Sequence, residues 1–594
     1  MRPMPRLRLI YLLAPTLCVT VGCDRNAGEA GHQPEPAAHG HVRFVDAAEE
    51  AGLNFYHNNG MSGELYFPEP VGSGAALADF DGDGDLDVLL VQGRSLPLSA
   101  ELGSDQAMFR SRVYRNDLDR TAPDTDIPRF TDITDSSGLV ANGYGMGVAT
   151  GDVDNDGRID VYLTNYGSNQ LWRNVSDDEG IRFEEVTSAS GSDDPRWSTS
   201  ASFSDLDGDG WLDLYVANYV DFRFENHKVC RMPGGQPNYC GPQSYDGLSD
   251  SLFRNEGDGR FKDVTGPAGI LDSPSSGLGV VAADLDQDGR TDLYVANDMR
   301  PNFLWSNLGG ERLRFEDSAL LSGSAVAMDG RAQASMGLVA GDLDNDGDDD
   351  LFMTHLRADT NTLYLNDGRG GFIDASASSG LGAASLSYTG FGTVLIDLDN
   401  DTWLDLVAAN GAISIIEEQA RQGSDYPLAE RNQVFYNRGN ADFVDITESA
   451  GGQLTALEVS RGLAVGDIDN DGKSDLLLTN NRGPARLLMN RTQTTNHWLG
   501  LRLLTSDGKR DALGATVTVF MPDGHRLLRR AATDGSYLSA NDPRVLVGLG
   551  DSKRPASIEV RWPDGAVERW EGLAVDRYHT LIAGTGRPAG DLTP

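Results

Sequence analysis

From about residue 75 to 480 the chain alternates short apolar runs with tight polar loops. A run rich in Gly and Ala, such as Gly145-Met146-Gly147-Val148-Ala149-Thr150-Gly151, precedes each loop. A β-type run follows it: 87–91, 160–165, Asp-Leu-Tyr-Val-Ala-Asn at 213–218 and again at 292–297, then 350–355, 405–410 and 475–480. Two apolar runs around a tight turn predict a β-hairpin, and small residues in the first run permit close backbone approach near a crowded axis. Each unit continues into a second hairpin, as at Leu252 to Phe261 and Leu363 to Phe372, where the closing Phe begins a Phe-x-Asp element also seen at Phe130 and Phe443. Four strands per unit, recurring seven times at intervals of 53 to 79 residues, predict an all-β fold, a seven-bladed β-propeller over 42–490.

The pattern changes after Asn490. Alternating runs at Val517 to Phe520, Val545 to Leu549 and Ile558 to Trp562, with Pro-Asp-Gly turns at 522–524 and 563–565, predict a small C-terminal β-domain over 491–587, followed by a tail, 588–594. Trp562 and Trp570 read as buried aromatics of a small sandwich, with a carbohydrate platform as the alternative. At the other end, a basic start, an apolar run from Leu9 to Val21 and Gly22-Cys23 read as a secretion signal over 1–23. The run is shorter than the roughly 20 residues a membrane-spanning helix needs. Thr20-Val21-Gly22-Cys23 resembles a bacterial lipobox, which makes Cys23 the candidate lipidation site; an ordinary signal peptide cut nearby is the alternative. Residues 24–41, rich in Gly, Ala, Pro, Glu and His, read as a flexible linker. The expectation is an exported protein, lipid-anchored at the cell envelope on the periplasmic or outer side, touching membrane through the anchor alone.

Charge then directs attention to the loops. The 594 residues carry 90 Asp and Glu against 49 Lys and Arg, a net charge of −41. Such a surface repels phosphate backbones, which excludes nucleic acid as a partner. Hydrophobic residues at 39%, with 20 Phe, 18 Tyr and 8 Trp, are enough to fill a large core, so the charge does not signal disorder. Instead, D-x-D-x-D-G-x-x-D and close variants occur seven times. The acidic positions are Asp79, Asp81, Asp83 and Asp87; Asp152, Asp154, Asp156 and Asp160; Asp205, Asp207, Asp209 and Asp213; Asp284, Asp286, Asp288 and Asp292; Asp342, Asp344, Asp346 and Asp350; Asp397, Asp399, Asp401 and Asp405; and Asp467, Asp469, Asp471 and Asp475. Alternating carboxylates in a tight loop aim several oxygens at one centre, which calls for a hard cation; calcium, with six to eight oxygen ligands, is the natural occupant, up to seven ions with a structural role. Gly at the sixth position permits positive φ. In the sixth loop Thr402 stands there, and a β-branched residue at positive φ predicts a distorted or weak site. An EF-hand is excluded because the twelfth position holds apolar residues such as Leu90 and Leu163 in place of a bidentate Glu.

Cys230 and Cys240, with nine residues between them in a Pro- and Gly-rich segment, read in an exported protein as a local disulfide, with two free thiols or a metal site near His227 as alternatives. No G-x-S-x-G elbow, H-E-x-x-H or Walker loop occurs. His57, near Glu69 in sequence, is the candidate acid-base residue if the protein is an enzyme; His355 occupies a slot held by Asn in other repeats and reads as a variant of it.

Taken together, these loops and hairpins resemble the FG-GAP or VCBS repeats of the integrin α-subunit head, a resemblance that implies calcium-binding loops on a propeller. The C-terminal segment is similar to the ASPIC/UnbV domain through Leu513-Gly514-Ala515-Thr516-Val517, Gly535-Ser536-Tyr537-Leu538-Ser539, Val547-Gly548-Leu549-Gly550 and Val560-Arg561-Trp562-Pro563-Asp564-Gly565. The combination implies a bacterial relative of the cartilage acidic protein family, whose pattern Cys230, Cys240-Gly241-Pro242 and Tyr66-Phe67-Pro68-Glu69 also match. Unlike animal members the chain has no EGF-like cysteine cluster, and Val547 stands where Phe is usual. The functional expectation is a calcium-binding envelope protein that binds an envelope or extracellular protein or glycan, as an adhesion or scaffold module, through variable insertions at 93–112, 219–251 and 411–433. The competing expectation is a calcium-dependent polysaccharide lyase or hydrolase with its site on a propeller face.

Overall fold

The computed structural model describes residues 42–588 apart from 98–105, 119–126, 272, 311 and 556. Seven four-stranded antiparallel sheets account for the repeats among these residues. Blade 1 runs Ala75–Ala78, Asp87–Leu90, Arg112–Asn116, Phe130–Asp132. Blades 2 to 6 repeat the order, their first strands being Tyr144–Gly151, Ser198–Ser204, Gly277–Ala283, Leu338–Gly341 and Gly390–Ile396. Blade 7 takes three strands from Ser460–Gly466, Asp475–Asn480 and Arg486–Asn490 and its fourth from the start of the chain, Phe44–Asp46, in the register Phe44 to Asn490. The first strands touch one another in cyclic order, the seventh meeting the first, so the sheets close into a β-propeller.

Apolar faces of neighbouring blades interlock. Between blades 2 and 3, for example, Ala149, Tyr162 and Leu171 meet Phe203, Leu214, Val216 and Phe253. The meander fixes two ends of the propeller. Loops between first and second strands open at one end; loops between second and third strands, with the links from one blade to the next, open at the other. The insertions at 93–112, 219–251 and 411–433 all belong to this second end.

The C-terminal region is a sandwich of a three-stranded sheet, ordered Val545–Gly548, Trp498–Leu504, Tyr578–Ile582, and a five-stranded sheet built on Thr516–Phe520. Leu501, Val517, Val547, Val560 and Trp562 form its core. It does not stand apart as a separate body: the described residues form one compact unit. The predicted signal segment, Cys23, the linker 24–41 and the tail after Pro588 lie outside the described residues, and among those described no helix is long and apolar enough to cross a membrane.

Candidate metal centres

Each acidic loop joins the first and second strands of a blade, so all seven sit at one end of the propeller. Backbone donors fix the carboxylates. In six loops the first Asp accepts the N–H of the sixth residue, at 2.8 to 3.1 Å; in the fifth loop, Asp342 accepts the N–H of Asp346 at 3.0 Å. The ninth Asp, on the first turn of the second strand, uses one oxygen for the N–H of the loop's second residue and the other for the N–H of an Asn ending the third strand. This pair of bonds recurs in every blade, at 2.6 to 3.2 Å, from Asp87 with Phe80 and Asn116 to Asp475 with Ile468 and Asn490. With both ends of the loop pinned, oxygens of Asp79, Asp81 and Asp87 come within 4.8 Å of one another, as do those of Asp152, Asp154 and Asp160, of Asp284, Asp286 and Asp292, and of Asp342, Asp344 and Asp350; in the third loop the group is Asp205, Asp207 and Asp209.

Clustered, half-buried carboxylates repel one another and lose hydration, so their protons bind tightly. Burial is the main cause at the first position, where Asp79, Asp152, Asp205 and Asp284 are raised to about 6 and Asp342 and Asp467 to about 7. Neighbouring carboxylates add to the rise, and bonds from the loop N–H groups oppose it. Several oxygens are sealed from solvent yet meet no donor: Oδ1 of Asp154, Asp284, Asp399 and Asp469, and Oδ2 of Asp342. Buried acceptors without partners cost about 1–3 kcal/mol each, more when charged. Convergent oxygens that lack donors are what an oxygen-liganded cation requires, so the residues present fit calcium.

Thr402 departs from expectation. Its φ of +91° matches the glycines at the same position, such as Gly84 at +90° and Gly289 at +88°, and its N–H reaches Asp397 at 2.9 Å like theirs. The sixth loop is therefore not distorted; surrounding bonds hold Thr402 in a conformation it disfavours.

The asparagines ending the third strands also join the blades. Asn116, Asn174, Asn255, Asn307, Asn366, Asn437 and Asn490 each donate a side-chain N–H, at 2.8 to 3.3 Å, to the carbonyl of the second residue in the preceding blade's loop. In the sequence these strands share one feature beyond the hairpins at 252–261 and 363–372: Asn closes all seven. That recurrence was the available signal.

Family profiles match an FG-GAP-like repeat over 152–216, 243–295, 284–353, 342–408 and 423–478, and an ASPIC and UnbV domain over 505–588. The chain is an FG-GAP repeat protein with an ASPIC/UnbV domain. It is similar to cartilage acidic protein 1 of Homo sapiens, 26% identical over 522 residues covering 84% of this chain and 70% of the relative, and to that of Xenopus tropicalis, 23% identical over 558 residues covering 84% and 71%. Among solved structures, an Agrocybe aegerita lectin that recognises non-reducing terminal N-acetylglucosamine aligns with a TM-score of 0.37 and 16% identity, covering 68% of this chain and 85% of the lectin. A Bacillus licheniformis rhamnogalacturonan lyase aligns at 0.29 and 13%, covering 89% and 92%. At these scores neither likeness bears on activity.

The ASPIC/UnbV domain docks on the loop end and sends one segment down the propeller axis. Residues 533–542 bond to the first strand of every blade. Ala540 exchanges bonds with Ala75 and Leu77, Leu538 O accepts Val148 N–H, and Leu538 N–H reaches Ser200. Asp534 accepts Ala282 N–H, Ser536 exchanges two backbone bonds with Leu338, and Ser536 Oγ accepts Thr393 N–H and donates to Leu463 O. Asn541 Oδ1 accepts Val465 N–H. Glycines in or just before the first strands make the room: a Cβ at Gly74 would lie 1.7 Å from Leu538 O, and one at Gly147 would lie 3.0 Å from Leu538 Cα. Arginines of the same domain face the loops. Arg502 meets Asp79 at 3.3 Å, Arg510 donates to Gly210 O at 3.1 Å, Arg529 to Thr402 O at 2.9 Å and Arg544 to Asp467 O at 2.8 Å.

The remaining candidates fall at the opposite end or in the cores. Cys230 and Cys240 form the disulfide, with Cα atoms 5.1 Å apart, which clips the hairpin Cys230–Arg231 to Pro237–Asn238. Beside it Tyr239 donates to Glu69 at 2.8 Å, and Tyr66, Phe67, Trp197, Tyr219, Phe222 and Tyr245 form an aromatic cluster that seals this end of the axis. His57 is fully buried with its pKa lowered to about 3, chiefly by burial, and His355 is buried likewise and lowered to about 4. Neither can meet a substrate where it stands. His355 takes an N–H bond to Asn361 Oδ1 where Asn297 bonds Asn302, as a repeat variant should. Trp562 is core, donating to Glu568 at 3.0 Å.

Proposed function

We propose that the FG-GAP loops hold calcium as structural ions and that the protein is an exported, lipid-anchored scaffold which binds an envelope or extracellular protein or glycan at the end of the propeller opposite those loops. The observation that carries the metal reading is the set of sealed carboxylate oxygens without donors in five of the loops. Where bound, calcium supplies the positive charge that lets these carboxylates stay ionised and lie together. The loop end is covered by the ASPIC/UnbV domain, so the free face is the insertion end. There Val229, Arg231 and the turn at 233–236 are exposed on a hairpin whose base the disulfide fixes. Binding surfaces built on loops over a rigid scaffold can vary without disturbing the fold. The competing lyase or hydrolase reading asked His57 to act on a substrate, and its burial gives that reading no support.

Elemental analysis of protein purified without chelator should find calcium. Capture of envelope proteins and of a glycan panel by the intact chain should then be lost in Val229→Asp and Arg231→Ala variants that melt normally. Undiminished capture by those variants removes the insertion end as the binding face, and absence of calcium removes the metal reading.

A further inference from the structure

The seventh residue of the acidic loops differs in charge from blade to blade. In the second and fourth loops it is Arg158 and Arg290. Each donates Nε to the carbonyl of the third-strand asparagine, at 2.9 Å to Asn174 and 2.7 Å to Asn307, and each pairs through Nη2 with the fifth-position carboxylate, Asp156 or Asp288. In the seventh loop Lys473 lies 2.6 Å from Asp471. In the third loop the seventh residue is Trp211, and the cation comes from the third strand instead, Arg254 meeting Asp207 and Asp209 at 2.6 Å each. The space between the fifth carboxylate and the outer hairpin is thus filled by positive charge in four loops.

The fifth loop inverts this arrangement. Its seventh residue is Asp348, and the third-strand position that supplies Arg254 in blade 3 is Leu365. Among the described residues no Lys or Arg forms an ion pair with Asp344, Asp346 or Asp348. Asp348 is only 6% exposed, and its Oδ1 is sealed with no donor. The hairpin after Asn366 closes over its other oxygen, since a Cβ at Gly368 would lie 3.1 Å from Asp348 Oδ2. The first loop also has an acid here, Asp85, but it accepts a bond from Asn470 at 2.8 Å. A buried carboxylate beside other carboxylates and without a donor is strongly unfavourable unless a cation accompanies it.

We propose that a second calcium ion sits outside the fifth loop, where the second and fourth loops place a guanidinium, held by the carboxylates of Asp346 and Asp348 and the carbonyl of Asn366, with water completing its shell. It is distinct from the ion assigned to Asp342, Asp344 and Asp350, and it rests on the reading that these loops hold calcium, because Asp346 borders both sites. Substituting Asp348→Arg restores the side chain that blades 2 and 4 carry. Equilibrium dialysis followed by elemental analysis should show one calcium fewer per chain in Asp348→Arg and in Asp348→Asn than in the unsubstituted protein, and no change in Asp85→Asn. The Arg variant should also melt higher than the Asn variant in chelator. An undiminished count in Asp348→Asn overturns the proposal whatever the Arg variant does, and so does an equal loss in Asp85→Asn. If the unsubstituted protein binds calcium while the Asp348 variants bind as much, this inference alone fails; if it binds none, the loop reading fails with it.

Discussion

The two ends of the propeller are closed by opposite chemistry. At the loop end, buried carboxylates, four arginines of the ASPIC/UnbV domain and a hydrogen-bonded axial segment meet, and charges there are kept apart from water only by their partners. At the insertion end, Tyr66, Phe67, Trp197, Tyr219, Phe222 and Tyr245 pack ring against ring, and a disulfide clips the lid. Apolar burial stabilises at any pH or salt, whereas a cluster of like charges stabilises only when a counter-charge is supplied. The loop end should therefore respond to ions and protons, and the insertion end to packing and covalent changes.

The strongest way to break this contrast is to remove calcium. If each loop binds with Kd on the order of 10⁻⁴ M at about 1 mM calcium, linkage contributes roughly 1.4 kcal/mol per site. Summed over the loops this approaches about 10 kcal/mol, the whole stability of many domains. Thermal melting with and without chelator should differ by tens of degrees, and coincident curves would remove calcium as a structural ion. The pH slopes sharpen the same point. Without the ion, first-position carboxylates raised to about 6 or 7 contribute stability that is fully present below about pH 4 and is lost as pH rises through 6 to 7. With calcium bound, protons must displace the metal before they can bind, so the same loss on raising the pH is flattened. Stability measured by denaturant titration at pH 5 and 7.5 should fall steeply with pH in chelator and much less in calcium; equal falls in the two states would show that the loops are not where the ion acts.

Next in size is the axial segment, which joins the two ends. Tyr537 is fully buried, its ring 4.9 Å from that of Phe391 and its hydroxyl bonded to Val71 O. Tyr537→Ala should cost about 3–5 kcal/mol, seen as a lower denaturant midpoint in a single transition. Two separate transitions would mean that the propeller and the ASPIC/UnbV domain do not unfold as one body. Replacing both cysteines by Ser, Cys230→Ser with Cys240→Ser, should cost about 2–3 kcal/mol for a loop of this length. That loss should be indifferent to calcium, because the disulfide lies at the far end from the loops.

What the sequence made legible is local. The loops carry their own spacing, and the flanking runs carry strand periodicity, so blades and candidate ligands could be read one unit at a time. The closure of blade 7 by Phe44–Asp46 and the docking of residues 533–542 could not, since each joins positions hundreds of residues apart. Gly535-Ser536-Tyr537-Leu538-Ser539 carries the resemblance to the ASPIC/UnbV domain, but its place among seven strands belongs to the fold alone, and the close approach of Leu538 explains why Gly74 and Gly147 have no side chain. His57 shows the reverse error: a histidine near a glutamate in sequence suggested chemistry, but the chain folds it into the wall of the aromatic end. The third-strand asparagines were visible as a repeat, yet their function lies in a bond to the preceding blade, which no single repeat contains.

Thr402 offers the finest test, because it separates local preference from imposed geometry within the loop end itself. A non-glycine residue at this φ costs about 1–2 kcal/mol relative to an allowed conformation. Glycine would remove that strain but gain about 0.5–1 kcal/mol of freedom in the unfolded chain, which offsets part of the benefit. Thr402 is only half-buried. The carbonyl that Arg529 uses and the N–H that Asp397 accepts belong to the backbone and survive the change. Thr402→Gly should therefore stabilise the protein by about 0.5–1 kcal/mol and tighten the sixth site rather than create it. A loss of stability on this substitution would mean that the threonine side chain, not the surrounding bonds, holds the loop in shape.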